Sequence, residues 1–194
     1  MASRYDDELW ELVPDDPGPP PAHLTRFVRG LGRADRALDL GCGDGRLTRE
    51  LEAAALSAAD VSAVALARAR GRLGDRVVEL VELEPDAPLP FVDSAFDLVL
   101  CAETVEHVRD VQLLLSEARR VLTPGGRLAV STPAHGRATG LEVLLRGFEA
   151  RFDPRAAHLR FLTRRSLESL LDEMGFEARS LRRSRDSLLA VSTR

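Results

Sequence analysis

Glycine and aspartate residues in the first third of the sequence form a pattern that could support chemistry. Gly41, Gly43 and Gly45 alternate in the stretch RALDLGCGDGR, Asp39 precedes them, and Asp60 ends the next apolar stretch. Because glycine has no Cβ, a ligand can lie directly on the backbone of such a loop. Asp39 would repel a pyrophosphate but suits an ammonium or sulfonium cation, and Asp60 is placed to accept hydrogen bonds from both hydroxyls of a ribose. The pattern predicts a site for a nucleotide-type cofactor.

The spacing of the glycines separates two kinds of cofactor. Dinucleotide-binding loops follow G-x-G-x-x-G, whereas this loop is G-x-G-x-G. The chain also has no lysine, and its single tyrosine, Tyr5, lies near the N-terminus. A dehydrogenase that uses a tyrosine and lysine proton relay is therefore excluded.

A second group of residues that could take part in catalysis or bind a metal follows the apolar stretch AFDLVL. Glu103, Glu106 and His107 occur in CAETVEHV, and His158 occurs in DPRAAHLRFLT. If the segment after the strand is helical, the first three side chains share one face, where two carboxylates and an imidazole suit a divalent cation. His158 offers a fourth ligand. The alternative is that His107 acts as a base or a hydrogen-bonded wall residue, that Glu103 contacts substrate, and that His158 caps the following helix.

The remaining histidines and the cysteines have simpler interpretations. His135, after the fifth predicted strand, is expected on the ligand face, either as a substrate contact or as a plain loop residue. His23 follows a proline-rich linker and is expected in solvent. Cys42 and Cys101 lie in apolar, strand-like contexts, which favours reduced, packed thiols.

Strand and helix patterns alternate along the chain and predict how these residues are positioned. The predicted strands are RALDLG, AALSAAD, RVVELVEL, AFDLVLCAE, RLAVSTP, EARSLRR and SLLAVST, and the predicted helices are AHLTRFVRGLG, RLTRELEAA, SAVALARARGRL, DVQLLLSEARRVL and TRRSLESLLDEMGF. This order predicts an α/β fold with a Rossmann-like, doubly wound, mostly parallel seven-stranded sheet. Only SRD separates the last two strands, so they must form an antiparallel hairpin.

The domain organisation follows from a proline-rich stretch, ELVPDDPGPPPA. We predict an N-terminal arm and linker over residues 1–21 and one domain over residues 22–194. The arm contains Tyr5 and Trp10, and it is either a lid over the cofactor or a disordered tail. The apolar segment LEVLLRGFEARF is expected to wall the acceptor pocket, although packing or dimerisation would use the same residues.

Composition limits the classes of protein that remain. The chain has 194 residues, is 44% hydrophobic, and carries a formal net charge of −4. No apolar run approaches the roughly 20 residues that a membrane span needs, and the acidic N-terminus lacks signal-peptide features. We expect a cytoplasmic monomer or homodimer that acts on a small molecule, with neither a membrane nor a nucleic acid as partner.

Several motifs occur in an order that resembles the class I S-adenosylmethionine-dependent methyltransferases, of the methyltransferase type 11 kind. LDLGCGDGRLTREL is similar to their first motif, ADVSAVALARAR to the ribose-binding strand and helix, and PLPFVDSAFDLVLCAETVEHV to the later motifs. RRVLTPGGRLAVSTP and the final hairpin continue the resemblance, which covers residues 24–194. It implies S-adenosylmethionine as the cofactor.

The resemblance also implies which residues bind that cofactor. Asp39 and the glycines would line its methionine and ribose portion, Asp60 would bind the ribose, and either Glu84 or Asp86 would contact the adenine. The complete implied cofactor site is Asp39, Gly41, Cys42, Gly43, Gly45, Asp60, Val61, Glu84, Asp86 and Ala102.

The acceptor side resembles two groups within this superfamily. The pattern E-x-x-E-H with a downstream histidine is similar to that of ubiquinone-pathway O-methyltransferases and of small-RNA 3′-terminal 2′-O-methyltransferases. It implies a divalent metal (Mg, Mn or Zn) on Glu103, Glu106, His107 and His158, with Glu103, His107 and His158 as catalytic residues. We therefore predict O-methylation of a small hydroxylated acceptor. The alternatives are methylation of an RNA 3′ end, which the acidic charge disfavours, and a module that binds the cofactor without transferring methyl.

Overall fold

A seven-stranded sheet flanked by helices forms the computed structural model, which describes residues 2–76, 79–149, 152 and 157–194, without the side chains of residues 2–4 and 138. The strands are β1 (Ala34–Leu40), β2 (Ala53–Asp60), β3 (Glu79–Glu82), β4 (Phe96–Ala102), β5 (Leu122–Pro133), β6 (Glu177–Ser184) and β7 (Ser187–Thr193). The helices are α1 (Ala2–Leu12), α2 (Ala22–Arg29), α3 (Ala63–Leu73), α4 (Val111–Val121), α5 (Arg137–Arg146) and α6 (Arg164–Glu173), with single 3₁₀ turns at Thr48–Glu50 and Gly74–Arg76.

The strand order is β3-β2-β1-β4-β5-β7-β6. The first five strands are parallel, and β7 is antiparallel to both β5 and β6. The predicted fold class is confirmed, including the terminal hairpin. The direction of strand progression reverses between β1 and β4, and in open α/β sheets ligands bind at the carboxyl ends of the strands beside such a reversal.

Alternate residues of each strand point to opposite faces of the sheet, and each face packs in its own core. Leu38 and Leu40 of β1 belong to a core with α4 and α6, whereas Ala37 belongs to a core with α2. A third, small group of buried residues joins Leu66 of α3 to Cys42. The predicted packed, free thiols are confirmed, since Cys42 and Cys101 are both buried.

The predicted helix RLTRELEAA is wrong. Residues 48–50 form only a 3₁₀ turn, and β2 begins at Ala53. Leu51 is fully buried, and Ala53 pairs with Ala34 at the start of β1. The alanines at the start of β2 therefore form a strand. Their intrinsic preference for a helix is weak, and pairing with β1 outweighs it.

His23 is also not in solvent as expected. It is buried on α2, and its Nε2 lies 3.1 Å from the hydroxyl oxygen of Ser187 at the start of β7. The hydroxyls of Ser62 and Thr163 cap α3 and α6, since they accept hydrogen bonds from the first turns of these helices. Of the predicted strand RVVELVEL, residues 77 and 78 lie outside the described residues. Among the described helices, none is long and apolar enough to cross a membrane.

Candidate active site

The glycine loop, residues 41–45, connects the carboxyl end of β1 to the turn before β2. The N–H groups of Gly41 and Cys42 donate to the carbonyl of Ala59, which fastens the loop to the neighbouring strand. Gly41, Gly43 and Gly45 all have a positive φ, a conformation that is strained for other residues. The loop follows β1, so it lies at the strand-order reversal between β1 and β4.

Each of the three glycines also lies against a different neighbour. A Cβ at Gly41 would lie 2.3 Å from the Thr104 side chain, one at Gly43 would lie 2.6 Å from the Trp10 ring, and one at Gly45 would lie 3.0 Å from Leu73. The backbone of the glycine loop is thus in close contact with the acceptor side, the N-terminal arm and α3.

Asp60 lies beneath the glycine loop. Its carboxylate accepts hydrogen bonds from the N–H of Gly43 at 2.8 Å and of Ser62 at 3.0 Å. Burial raises the pKa of Asp60, and these hydrogen bonds oppose the rise. This position next to backbone N–H groups is compatible with the ribose-binding role that the sequence suggests.

Asp39 is more deeply enclosed than expected. Its carboxylate accepts a 2.6 Å hydrogen bond from the Thr48 hydroxyl, and burial raises its pKa to about 7. The carboxylate of Asp60 adds to that rise. Within the described residues, neither acid takes part in an ion pair. Two buried carboxylates without a basic partner fit a cationic ligand at this loop.

The N-terminal arm lies across the glycine loop and α3. The Asp7 carboxylate accepts hydrogen bonds from the Ser62 hydroxyl at 2.6 Å and the Val64 N–H at 3.2 Å, so it caps the N-terminus of α3. Arg68 of α3 donates to the Val13 carbonyl at 2.9 Å. The arm is therefore ordered against the predicted cofactor site.

Arginine contacts that stabilise the glycine loop were not predicted. The buried carboxylate of Asp44 pairs with Arg46 at 3.1 Å and with Arg72 at 3.3 Å, and Arg46 also donates to the Gly18 carbonyl in the linker. Asp44 lies inside the quoted motif, but nothing in the spacing indicates that α3 supplies its partner.

The two candidate adenine contacts lie in the loop after β3. Both Glu84 and Asp86 are exposed, and Asp86 pairs with Arg109 at 2.5 Å. The structure therefore gives Asp86 a basic partner from the segment after β4, and the choice between the two acids stays open. Val61 and Ala102 lie at the carboxyl ends of β2 and β4, beside the glycine loop.

The acceptor side is a turn after β4 and not the helix considered from the sequence. Glu103 has a positive φ of 54°, and the His107 N–H donates to the Thr104 carbonyl. Thr104 also contacts the glycine loop, because its hydroxyl lies 3.4 Å from the Gly41 carbonyl. His107 is thus one turn away from the predicted cofactor site.

The structure brings together Glu106, His107 and His158. One ligand atom from each lies within 4.8 Å of those of the other two, and the two imidazole centroids are 4.7 Å apart. Glu103 stands apart from this group, because its carboxylate accepts a 2.8 Å hydrogen bond from the Ser131 hydroxyl.

Glu106 is the most unusual member of the group. It is 1% exposed, and within the described residues neither carboxylate oxygen has a hydrogen-bond partner of regular geometry. Burial raises the pKa of Glu106 to about 8, and the carboxylate of Glu103 adds to the rise, with weaker opposition from Thr132. A buried carboxyl without a partner is costly, which points to a bound proton or to a ligand that completes the site.

His107 has a defined tautomer. Its Nδ1 lies 3.2 Å from the carbonyl oxygen of Ala157, which can only accept, so Nδ1 carries the proton and Nε2 keeps its lone pair. Partial burial and the neighbouring His158 lower the pKa of His107, and burial lowers that of His158. Both imidazoles are therefore favoured in their neutral forms near pH 7.

The loop that carries His158 is fastened to the turn that carries His107. The Leu159 N–H donates to the Glu106 carbonyl at 2.8 Å, and the Arg160 guanidinium donates to the Val108 and Arg109 carbonyls. Residues about 50 positions apart in sequence are therefore held side by side.

Aromatic rings surround His135 at the end of β5. Its ring centroid is 5.2 Å from that of Phe161 and 5.8 Å from that of Phe152, and Phe161 is 4.2 Å from Phe152. His135 follows the carboxyl end of β5, which is the ligand face predicted for it. The backbone N–H of His135 donates to the Leu162 carbonyl. Of the predicted wall segment LEVLLRGFEARF, residues 150 and 151 lie outside the described residues.

The strand order and the parallel strands define a Rossmann-like domain, and comparison with known proteins identifies it further. Residues 38–130 match the family model of a methyltransferase domain. A solved structure of an S-adenosylmethionine-dependent methyltransferase from Mesorhizobium loti superposes with a TM-score of 0.66 at 22% identity, covering 89% of this chain and 96% of that one. Residues 38–130 therefore carry a methyltransferase domain, and the chain shares the fold of that solved S-adenosylmethionine-dependent methyltransferase.

Two curated relatives are similar over most of the chain. It is 32% identical over 170 residues to a ubiquinone biosynthesis O-methyltransferase of Azorhizobium caulinodans, covering 82% of this chain and 65% of the relative. It is 36% identical over 121 residues to a demethylmenaquinone methyltransferase of Tropheryma whipplei, covering 60% of this chain and 50% of the relative. The chain thus spans between half and two thirds of the length of these relatives.

Proposed function

We propose that this protein transfers a methyl group from S-adenosylmethionine to a hydroxyl of a small aromatic acceptor. The observation that supports it most is His107, whose Nδ1 bonds to the Ala157 carbonyl and leaves a lone pair on Nε2, on a turn whose Thr104 contacts Gly41. A candidate proton acceptor thus lies on the turn that contacts the predicted cofactor loop.

The residues present fit the cofactor. Asp60 and the glycine loop would hold the ribose, and the paired burial of Asp39 and Asp60 favours a cationic ligand. When bound, S-adenosylmethionine supplies an electrophilic methyl group on sulfur. The glycine backbone would position it, and Trp10 on the arm would exclude water.

His107 would act on the acceptor. Its Nε2 takes the proton of the acceptor hydroxyl, which leaves on oxygen the electron pair that forms the new O–C bond as the C–S bond breaks. The Ala157 carbonyl stabilises the imidazolium that results, because it accepts from Nδ1 throughout. General base catalysis of this kind contributes roughly 10²- to 10⁴-fold.

The acceptor class is argued from the rings and from the relatives. His135, Phe152 and Phe161 form an aromatic group near His158 that suits a flat ring. One relative is named as an O-methyltransferase of ubiquinone biosynthesis, and neither name mentions RNA. These observations favour a phenolic acceptor over an RNA 3′ end.

A divalent cation bound by Glu106, His107 and His158 is the second candidate mechanism. The buried carboxyl of Glu106, which has no hydrogen-bond partner of regular geometry among the described residues, favours it. Two imidazoles with one carboxylate are a donor set that suits several divalent metals. In this alternative Glu106, His107 and His158 would hold the metal, which would supply a lower pKa at the acceptor hydroxyl, and His107 would be a ligand in place of a base.

Methylation of catechol tests the proposal. The protein is incubated with methyl-labelled S-adenosylmethionine and catechol, and products are analysed by mass spectrometry. We expect a labelled methyl group on one catechol oxygen, lost in His107→Ala and retained in His23→Gln, which alters a histidine bound to Ser187 away from the site. Cofactor binding without product from catechol or from an RNA oligonucleotide would instead support a non-catalytic binding module.

A further inference from the structure

Asp44, between the second and third glycines of the loop, is a buried acid with two arginine partners. Its side chain is 5% exposed. One carboxylate oxygen accepts from Nε of Arg46 at 3.1 Å, and the other lies 3.3 Å from Nη2 of Arg72. A buried carboxylate is costly unless charged partners and hydrogen bonds satisfy it. Both arginines therefore help to keep this acid inside the fold.

Arg72 of α3 binds the backbone of the loop as well as this carboxylate. Its Nε donates to the Asp44 carbonyl at 3.0 Å, so one planar guanidinium holds both the side chain and the peptide group that joins Asp44 to Gly45. The next residue of α3, Leu73, lies 3.0 Å from the position of a Cβ at Gly45. The helix therefore fixes both the orientation of this peptide group and its distance from α3.

The backbone on the other side of Asp44 leads to the ribose side of the predicted adenosyl site. The N–H of Gly43 donates to the Asp60 carboxylate at 2.8 Å. Because Gly43 and Gly45 have positive φ and no side chain, the loop by itself has access to many backbone conformations. Only some of these direct the Gly43 N–H at Asp60. Contacts from outside the loop are therefore needed to select that conformation.

The pair between Asp44 and Arg72 is explained better by orientation than by stability. A buried ion pair adds little net stability, because the removal of two charges from water offsets much of their attraction. What the contacts of Arg72 supply is a single orientation of the loop. The apparent affinity for a ligand falls in proportion to the fraction of protein in the binding-competent conformation. Loss of Arg72 would therefore weaken cofactor binding through the population of that conformation.

We propose that Asp44 and Arg72 are positioning residues of the adenosyl site, which hold the glycine loop in the conformation that binds S-adenosylmethionine. The proposal rests on the cofactor of the proposed function and is independent of its acceptor. Arg46 connects the linker to the same arrangement, since its Nη1 donates to the Gly18 carbonyl while its Nε binds Asp44. The linker, the glycine loop and α3 thus meet at Asp44.

Calorimetric titration with S-adenosylhomocysteine tests the proposal, at a temperature where thermal melting shows every variant to be folded. Arg72→Met removes the charge and the donors, while Arg46 still pairs with the buried Asp44. The dissociation constant should rise about fivefold or more. KM for S-adenosylmethionine should rise with it, whereas kcat for catechol at saturating cofactor should stay unchanged. Asp44→Asn should show a similar loss, and the double variant should lose no more than the weaker-binding single variant, because both substitutions break the same pair.

The matched control is Arg70→Met. Arg70 is exposed on the same helix, and within the described residues no hydrogen bond or ion pair joins its side chain to the glycine loop. Its dissociation constant should equal that of the wild type. Arg72→Lys keeps the charge but cannot form both contacts at once, so it should recover part of the affinity. It also takes the place of Arg72→Met if that variant does not fold.

An unchanged dissociation constant in folded Arg72→Met would overturn the proposal even if urea unfolding showed a loss of stability, because the arginine would then support the fold alone. Additive losses in the double variant would also overturn it, since Arg72 would then act independently of Asp44. Weaker binding in the variants, with no methylation of catechol by the wild type, would refute the proposed function and leave the positioning role standing. Absence of S-adenosylhomocysteine binding to the wild type would refute both.

Discussion

The indole ring of Trp10 lies on the backbone of Gly43, where it occupies the space of a side chain at that position. A Cβ at Gly43 would lie 2.6 Å from Cζ2 of the ring. Trp10 is the only tryptophan of the chain. A cofactor that contacts Gly43 must therefore meet or move this ring, and the arm and the cofactor loop form one site.

This contact predicts a fluorescence signal on cofactor binding. Titration with S-adenosylhomocysteine should shift the emission of Trp10 and change its quenching by acrylamide, because the ring exchanges its contact with Gly43 for one with ligand or solvent. Catechol alone should leave both unchanged. Saturable binding seen by calorimetry without any change in emission would show that the cofactor does not lie under the arm.

A substitution at Gly41 should be far more damaging than one at a comparable glycine. Gly41→Ala introduces a Cβ 2.3 Å from Thr104 at a φ of +79°, whereas Gly32, with a φ of +70°, has nothing within 4 Å of its ideal Cβ. Backbone strain alone costs roughly 1–2 kcal/mol, and the clash should add about 1–3 kcal/mol for Gly41. Urea unfolding measures the loss of free energy of unfolding in both variants.

Truncation of Thr104 tests whether its contact with Gly41 causes the larger loss of stability. Thr104→Ala combined with Gly41→Ala should recover part of the lost free energy of unfolding. Equal losses in Gly41→Ala and Gly32→Ala would mean that close approach of the acceptor turn plays no role.

The buried acid Asp39 predicts a fall in stability with rising pH. Its pKa is about 7 in the folded protein against an ordinary value of 3.8. Between these values the folded state retains a proton that the unfolded state has lost, so the free energy of unfolding decreases as pH rises from about 4 through about 7. Each unit of difference in pKa corresponds to about 1.4 kcal/mol.

Replacement of this carboxyl isolates its contribution. Asp39→Asn should make the pH profile of urea unfolding flatter and should stabilise the protein above pH 7. The raised pKa of Asp60 acts in the same direction, so the slope should shrink without vanishing. An unchanged slope in the variant would show that Asp39 is ionised in the folded protein across this range.

Much of this site could be predicted from the sequence because its parts are local. The glycine spacing, the acids that end β1 and β2, and the caps at Ser62 and Thr163 depend on neighbouring residues. The α/β class with a mostly parallel sheet followed from the alternation of strand and helix patterns, and the short SRD connection implied the hairpin.

The features that could not be predicted depend on contacts between distant residues. Ala53 becomes a strand residue because it pairs with Ala34. His23 is buried on α2, where its Nε2 lies 3.1 Å from the hydroxyl oxygen of Ser187 on the far side of the sequence. The turn that replaces the expected helix after β4 still brings His107 to His158, through contacts with a loop about 50 residues away. No spacing within either segment specifies these contacts.

The two candidate mechanisms predict different responses to metal removal. If Glu106, His107 and His158 bind a divalent cation, calorimetry should detect binding of Mn²⁺ or Zn²⁺ that Glu106→Gln weakens at least tenfold, and EDTA should abolish methylation. The base mechanism predicts full activity in EDTA. Glu168→Gln, which changes an exposed acid on α6, is the matched control for metal binding.

Loss of the proton acceptor should lower turnover and leave cofactor binding intact. His107→Ala should reduce kcat for catechol by about 10²- to 10⁴-fold, while the dissociation constant of S-adenosylhomocysteine stays within about twofold, since no hydrogen bond links the imidazole to the described residues of the glycine loop. A parallel loss of turnover and of S-adenosylhomocysteine affinity would mean that His107 supports the glycine loop and is not a base.

Calorimetric titration with S-adenosylhomocysteine tests most directly whether Asp60 and the glycine loop form the adenosyl site. We predict one binding event per chain in the wild type. Affinity should be at least tenfold lower in Asp60→Asn, because a charge-assisted hydrogen bond to ribose is lost. It should be unchanged in Asp93→Asn, whose side chain is 78% exposed in the loop before the amino end of β4. Absence of binding to the wild type, or equal affinity in Asp60→Asn, would contradict this assignment.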